Sequence, residues 1–214
     1  MILILKKEQQ EALDYLYQQL KEDELRIKRK RNTKEAFRHS AEGRFNHTMT
    51  VLYHAREILG KVVCSKEVVE MAVILHDIAK IADDANHEET GAVIAKGYLE
   101  QKGYGQAFTR QVIECIRLHN RKGETPTASI EAKVVQDADL LDKRVLHEMQ
   151  HLQNKRLKEE ERKKAYKRIL KAYKKDLKDY ADRANFPFVR LQILDVIDRM
   201  EKEIYQNKVK CQMI

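Results

Sequence analysis

The sequence predicts an all-α fold, and three observations predict it. Glycine and proline, the residues that punctuate turns, number only 7 and 2 in 214 residues. Lys, Glu, Leu, Ala and Gln, which lose little on entering a helix, are abundant, and there is no tryptophan. Apolar residues recur at steps of three and four along most of the chain. A chain of this length buries a substantial core without disulfides. Its three cysteines, Cys64, Cys115 and Cys211, are odd in number and widely separated, which fits a reducing, intracellular setting rather than a disulfide framework. The opening MILILKKEQQ is too short for a signal-peptide core, and no apolar run is long enough to span a membrane, so a soluble, cytoplasmic protein is expected.

The elements follow in order. A first helix lies within the first 32 residues, with Leu13, Leu16 and Leu20 at helical spacing and the basic run RIKRKRN at its end. A second runs from Asn46 to Leu59, where Val51, Ala55, Ile58 and Leu59 form an apolar stripe and His47 lies one turn before Val51; Gly60 ends it. Ser65 reads as the N-cap of a third, whose Val68, Val69, Ala72, Val73 and Ile74 lead into His76 and Asp77. Helices from about His87 to Gln101 and Ala107 to His119 are closed by KGYG and NRKG. After a proline-containing loop comes a helix with Ile130, Val134, Ala138 and Leu141 on one face, and Asp139 beside that stripe. Beyond about Glu148 the composition shifts to long charged helices. Tyr166, Ile169, Tyr173, Leu177 and Tyr180 step by three and four, and so do Leu191, Leu194, Ile197, Met200 and Ile204 after RANFPF. The expected organisation is a helical core over residues 1–147 and, over 148–214, a helical hairpin packed on that core or serving as a homodimerisation arm.

The net charge of +8 lies largely in lysine-rich stretches that also carry Glu and Asp, so a solvated helix surface is preferred to a nucleic-acid surface. The tyrosine stripe has the period of a packing interface and not of a base-stacking platform.

Chemistry enters at AVILHDIAK, residues 72–80, where a histidine and an aspartate interrupt an apolar helix. Adjacent helical side chains diverge by about 100°, but both can grip one ion at a helix end. A nitrogen and a carboxylate oxygen suit Zn, Mn, Fe or Ni better than calcium. Further ligands must come from elsewhere, and His47 and Asp139, each next to an apolar stripe, are candidates.

The order His47 in RFNHTMTV, His76 and Asp77 in LHDIAK, and Asp139 in QDADLLDK resembles the HD-domain phosphohydrolase superfamily over roughly residues 38–145. A bare His-Asp pair would say little; three motifs in this order say much more. The resemblance implies a helical bundle around a divalent metal (Mn, Fe, Ni, Co, Zn or Mg). It also implies hydrolysis of a phosphoester or phosphoanhydride bond by metal-activated water, and a phosphorylated small molecule, preferably a nucleotide or dinucleotide, as substrate. Of the acids near the last motif, Asp137 and Asp139 lie about 200° apart on a helix; the family pattern favours Asp139, and Asp142 would support the site or face water. Many two-metal members place two more histidines in the interval where His87 and His119 fall. On that pattern Asp77 bridges two ions; the alternative is that these histidines bind substrate phosphate or cap their helices. Lys80 departs from nucleotidase members with an acid at that position and matches phosphodiesterase-like ones. Lys80, and Arg44 three residues before His47, would stabilise anionic charge beside Asp77, or else serve as surface cations. The runner-up is a nucleic-acid-binding or regulatory module with a structural metal site. His54 is expected to be packed or half-exposed, and His39, His147 and His151 superficial; Lys143 and Arg144 would be placed to meet an anionic substrate.

Overall fold

In the computed structural model, residues 4–28, 40–120, 127–143, 146 and 158–205 are described. These contain eight α-helices and no strand: α1 Lys7–Lys28, α2 Ala41–Leu59, α3 Lys66–Leu75, α4 His87–Gln101, α5 Gln106–Leu118, α6 Ile130–Leu141, α7 Glu159–Arg183 and α8 Pro187–Tyr205. The all-α expectation holds. His39, Arg144, His147, His151, Cys211 and residues 29–32 of the basic run lie outside the described residues.

The chain divides into two units, Met1–Asp139 and Leu140–Ile214. In the first, α3 is the centre, packing against α1, α2 and α5, while α4 packs on α5. Every residue of α3 from Val68 to Leu75 is buried. A helix apolar on all sides belongs in an interior; only Glu70 among those eight is charged. Ser65 caps its start as expected, its hydroxyl accepting from the Val68 amide at 3.4 Å. Its end comes one residue before His76, so the His-Asp pair follows the helix in a run of turns instead of standing on it. A buried helix that stops there delivers both side chains into the core.

Glu70 is tolerated in this interior because a donor meets each of its carboxylate oxygens. Arg56 Nε on α2 donates to Oε1 at 2.6 Å, and Gln9 Nε2 on α1 donates to Oε2 at 2.5 Å. Arg56 also donates to Gln9 Oε1 and the Ile4 carbonyl. The network ties α1 and α2 to the middle of α3. Leu13, Leu16 and Leu20 of α1 are buried as their spacing predicts.

Three sequence expectations are corrected. Helix α2 begins at Ala41, five residues before Asn46, because Ser40 caps it by accepting from the Gly43 amide; Arg44 and His47 therefore share one helix. Gly60 does cap the other end, with an ordinary right-handed φ of −67°. Ile130 is 47 % exposed, and the buried face of α6 is built from Ala132, Val134, Val135 and Ala138. In the second unit α7 and α8 pack as a hairpin, Tyr166, Ile169 and Leu177 being buried. The apolar face of α8, however, is Val189, Ile193, Ile197, Met200 and Ile204; Leu191 is exposed and Leu194 half-buried. Cys64 and Cys115 are free thiols. No helix among the described residues is long and apolar enough to cross a membrane.

Replacing Glu70 by alanine leaves the Arg56 and Gln9 donors unmatched in a mostly buried setting. Urea denaturation should show a loss of about 2–3 kcal/mol, whereas Lys6→Ala, which removes only an exposed pair with Glu67, should stay within about 0.5 kcal/mol of wild type.

Candidate metal centre

The site is built where four segments converge: α2 supplies Arg44 and His47, the turn after α3 supplies His76, Asp77 and Lys80, α4 opens on His87, and α5 ends against His119. His76, Asp77, His87 and His119 are buried, with Asp139 of α6 beside them in the chain's core.

Asp77 is the hub. Its Oδ2 lies 3.5 Å from His47 Nε2 and 3.6 Å from His76 Nε2. Its Oδ1 lies 3.6 Å from His87 Nε2 and 3.7 Å from His119 Nε2. Each carboxylate oxygen therefore faces its own pair of imidazoles. The ligand atoms of His47, His76 and Asp77 fall within 4.8 Å of one another, and so do those of Asp77, His87 and His119. Asp139 joins the first group through His47, its Oδ1 standing 3.3 Å from His47 Nε2.

The imidazoles are aimed by one repeated device. His76 Nδ1 meets the Val73 carbonyl at 2.7 Å, His87 Nδ1 the Asp84 carbonyl at 2.9 Å, and His119 Nδ1 the Ile116 carbonyl at 2.7 Å. A carbonyl only accepts, so each facing Nδ1 carries the hydrogen, and each imidazole when neutral is left with a lone pair on Nε2. All three carbonyls are three residues upstream, available because His76 and His119 sit at helix C-caps and His87 follows the 82–86 turn. The result is that Nε2 atoms meet in pairs beside the carboxylate. His87 Nε2 stands 3.3 Å from His119 Nε2, and His47 Nε2 stands 3.2 Å from His76 Nε2. Lone pairs converging on a carboxylate call for a cation between them, either a proton or a metal ion. A mixed nitrogen and oxygen donor set fits a divalent transition ion.

The charges agree. Burial opposes ionisation of Asp77, yet His76, His119 and His47 together hold its carboxyl well below the ordinary range. Burial pushes His76 down to about 4, keeping it neutral. Burial acts on His119 in the same sense but is outweighed by the Asp77 hydrogen bond and charge, so its pKa rises. His87 is lowered by burial, with Lys80 nearby adding to the effect.

Two cations border the cluster. Arg44 Nη1 donates to Asp77 Oδ2 at 3.1 Å, so Arg44 stands on the carboxylate. Lys80 Nζ lies 3.3 Å from His87 Nε2 and 2.9 Å from Asp84 Oδ1. Neither is an ordinary surface cation, being about a quarter and a fifth exposed. Asp137 and Asp142 are both buried, so Asp142 does not face water.

Sequence reasoning missed the outer supports. Glu88 Oε2 lies 3.2 Å from His87 Nδ1, while its Oε1 accepts from Asn120, the residue after His119, at 2.8 Å. Gln136 of α6 donates to the Leu118 carbonyl at 2.7 Å, fixing the end of α5 next to His119. These residues hold imidazoles from outside. Their only sequence signal is adjacency to a ligand or to the last motif. Gly91 of α4 lies against the turn: a Cβ there would meet Ile78 Cγ2 at 3.5 Å and the His76 carbonyl at 3.6 Å.

The HD-domain family model matches residues 44–144, a span holding every residue just described. A solved structure described as a predicted HD superfamily hydrolase from an uncultured Thermotogales bacterium is 30 % identical, over 60 % of this chain and 67 % of that one, with a TM-score of 0.45. No curated protein matches the chain. The chain belongs to the HD-domain superfamily, an assignment carried by the matched sequence.

Two outcomes follow. His119 must lose its proton before Nε2 can ligate, and its pKa is raised above the ordinary 6.5; calorimetric Mn affinity should fall as pH drops through that raised value, with proton release on binding, and His119→Gln should flatten the dependence. Gly91→Ala should be neutral or stabilise by up to about 1 kcal/mol through helix propensity, whereas Gly91→Leu should displace the His76 turn and weaken metal binding in the same titration.

Proposed function

We propose that this chain is a metal-dependent phosphohydrolase that cleaves a phosphoester or phosphoanhydride bond, with a nucleotide or dinucleotide as the preferred substrate class. The observation that carries the proposal is the division of Asp77, one oxygen to His47 and His76 and the other to His87 and His119. On this reading His47, His76, Asp77 and Asp139 hold one ion, and Asp77, His87 and His119 a second. The hydrolase description of the Thermotogales relative supports the reaction class; the nucleotide preference comes from family resemblance alone.

Divalent ions bound there would lower the pKa of water towards neutrality and draw charge from a phosphoryl oxygen. The rest falls to the chain. Carbonyl-held imidazoles keep their Nε2 atoms aimed, so little reorganisation accompanies reaction. No side chain need act as a nucleophile. Lys80, at the rim, can exchange its Asp84 partner for a phosphoryl oxygen as charge develops. Arg44 keeps a donor for the same purpose, since its buried Nε has no hydrogen-bond partner among the described residues.

Metal analysis and a screen of phosphorylated compounds with Mn, Co, Ni, Mg or Fe test the proposal. Wild type should bind two equivalents and release phosphate or pyrophosphate. Asp77→Ala should lose both ions and turnover, and His87→Ala one equivalent. Lys80→Ala should keep its metal while kcat falls by about 10²–10³. Full activity in Asp77→Ala would contradict the mechanism.

A further inference from the structure

The surplus charge is segregated. Residues 1–139 carry 22 Lys and Arg against 22 Asp and Glu, and residues 140–214 carry 20 against 12. The whole net charge of +8 therefore belongs to the second unit.

Within that unit the charge has a phase. At 100° per residue, Lys164, Lys167, Arg168, Lys171, Lys175 and Lys178 of α7 fall within an arc of about 100°. All six are exposed. The arc is centred opposite Tyr166, Ile169, Leu170 and Leu177, the buried face that packs in the hairpin with α8. From Lys164 to Lys178 the stripe is about 21 Å long. No acid interrupts it between its ends; Asp176 and Asp179 lie to one flank, and Asp179 pairs with Arg183. The glutamates of α8 engage cations off the stripe or at its edge, Glu201 with Lys174 and Glu203 with Arg162. Like charges at i, i+3 and i+4 repel and cost a lone helix stability, so a face made only of them is better matched to an external polyanion than to water alone.

We infer that this face of α7 binds the phosphate backbone of duplex DNA without reading sequence. A single strand is disfavoured because its capture relies on aromatic stacking, and Tyr166, Tyr173 and Tyr180 lie on the other side of the helix. Duplex RNA is disfavoured because the helix has no Ser, Thr, Asn or Gln to meet 2′-hydroxyls. A membrane is disfavoured because an interfacial helix inserts its apolar face, and that of α7 is already buried in the hairpin. Ammonium groups contact phosphates as point charges and carry no base information.

Fluorescence anisotropy of the full chain with two unrelated duplexes of about 25 base pairs tests this. The five lysines of the stripe predict a log–log salt slope of about −4.5, so that raising salt from about 50 to about 200 mM weakens binding about five-hundredfold, equally for both sequences. The combined variant Lys164→Gln, Lys167→Gln, Lys171→Gln and Lys175→Gln should retain its helical circular dichroism and hydrolytic activity, and lose about one unit of slope per residue changed. Exposed lysines of the first unit, changed as Lys61→Gln, Lys66→Gln and Lys96→Gln, should leave the slope in place. Absence of binding at about 50 mM salt, equal losses in both variants, or tighter binding to single-stranded DNA, duplex RNA or phosphatidylserine vesicles would overturn the inference.

Discussion

A carboxylate in a protein interior is costly unless something of opposite charge accompanies it, and Asp77 imposes that constraint on this molecule. Four imidazole nitrogens and the Arg44 guanidinium are gathered within 3.7 Å of its two oxygens. The surrounding fold follows from keeping them there. Helix α3 is buried on all sides so that its end lies in the core, and it stops at Leu75 so that His76 and Asp77 can both face inward from a turn. The carbonyls freed where helices end orient His76 and His119. Proton and metal compete for the same converging lone pairs, which links metal affinity to the protonation of His119.

The candidate residues were legible in the sequence because each sits beside an apolar run, His47 before Val51, His76 after Ile74 and Leu75, Asp139 beside Ala138, while the order of the motifs and the preference for Asp139 over Asp137 came from the family resemblance. The limits of α4, His87–Gln101, were readable for a similar reason, since turn residues bound it on both sides. What could not be read depends on distance in three dimensions. Glu88, Asn120 and Gln136 look like any polar residues on a helix, and only the meeting of α4, α5 and α6 shows that they brace ligands. Nor does periodicity alone choose between neighbouring apolar phases, which is why Ile130 and Leu191 were placed on buried faces and are exposed. The early start of α2 was hidden because its first turn is polar, and its cap, Ser40, precedes no apolar run.

The two units solve different electrostatic problems. In the first, positive and negative residues balance, and the charges that matter are few, buried and compensated. In the second, a surplus of cations is displayed in phase on one exposed helical face. Composition averaged over the chain merges these into one modest net charge and hides both. Buried, compensated charge acts through geometry and is little affected by salt, while an exposed array acts at range and is screened.

Asp77 is proposed to be shared by two groups of residues that would each hold a metal ion. Anomalous scattering from crystals grown with Mn tests it most directly. The account predicts two peaks, one among His47, His76, Asp77 and Asp139 and the other among Asp77, His87 and His119, with Asp77 touching both. A single peak, or two peaks of which one has no contact with Asp77, would contradict it.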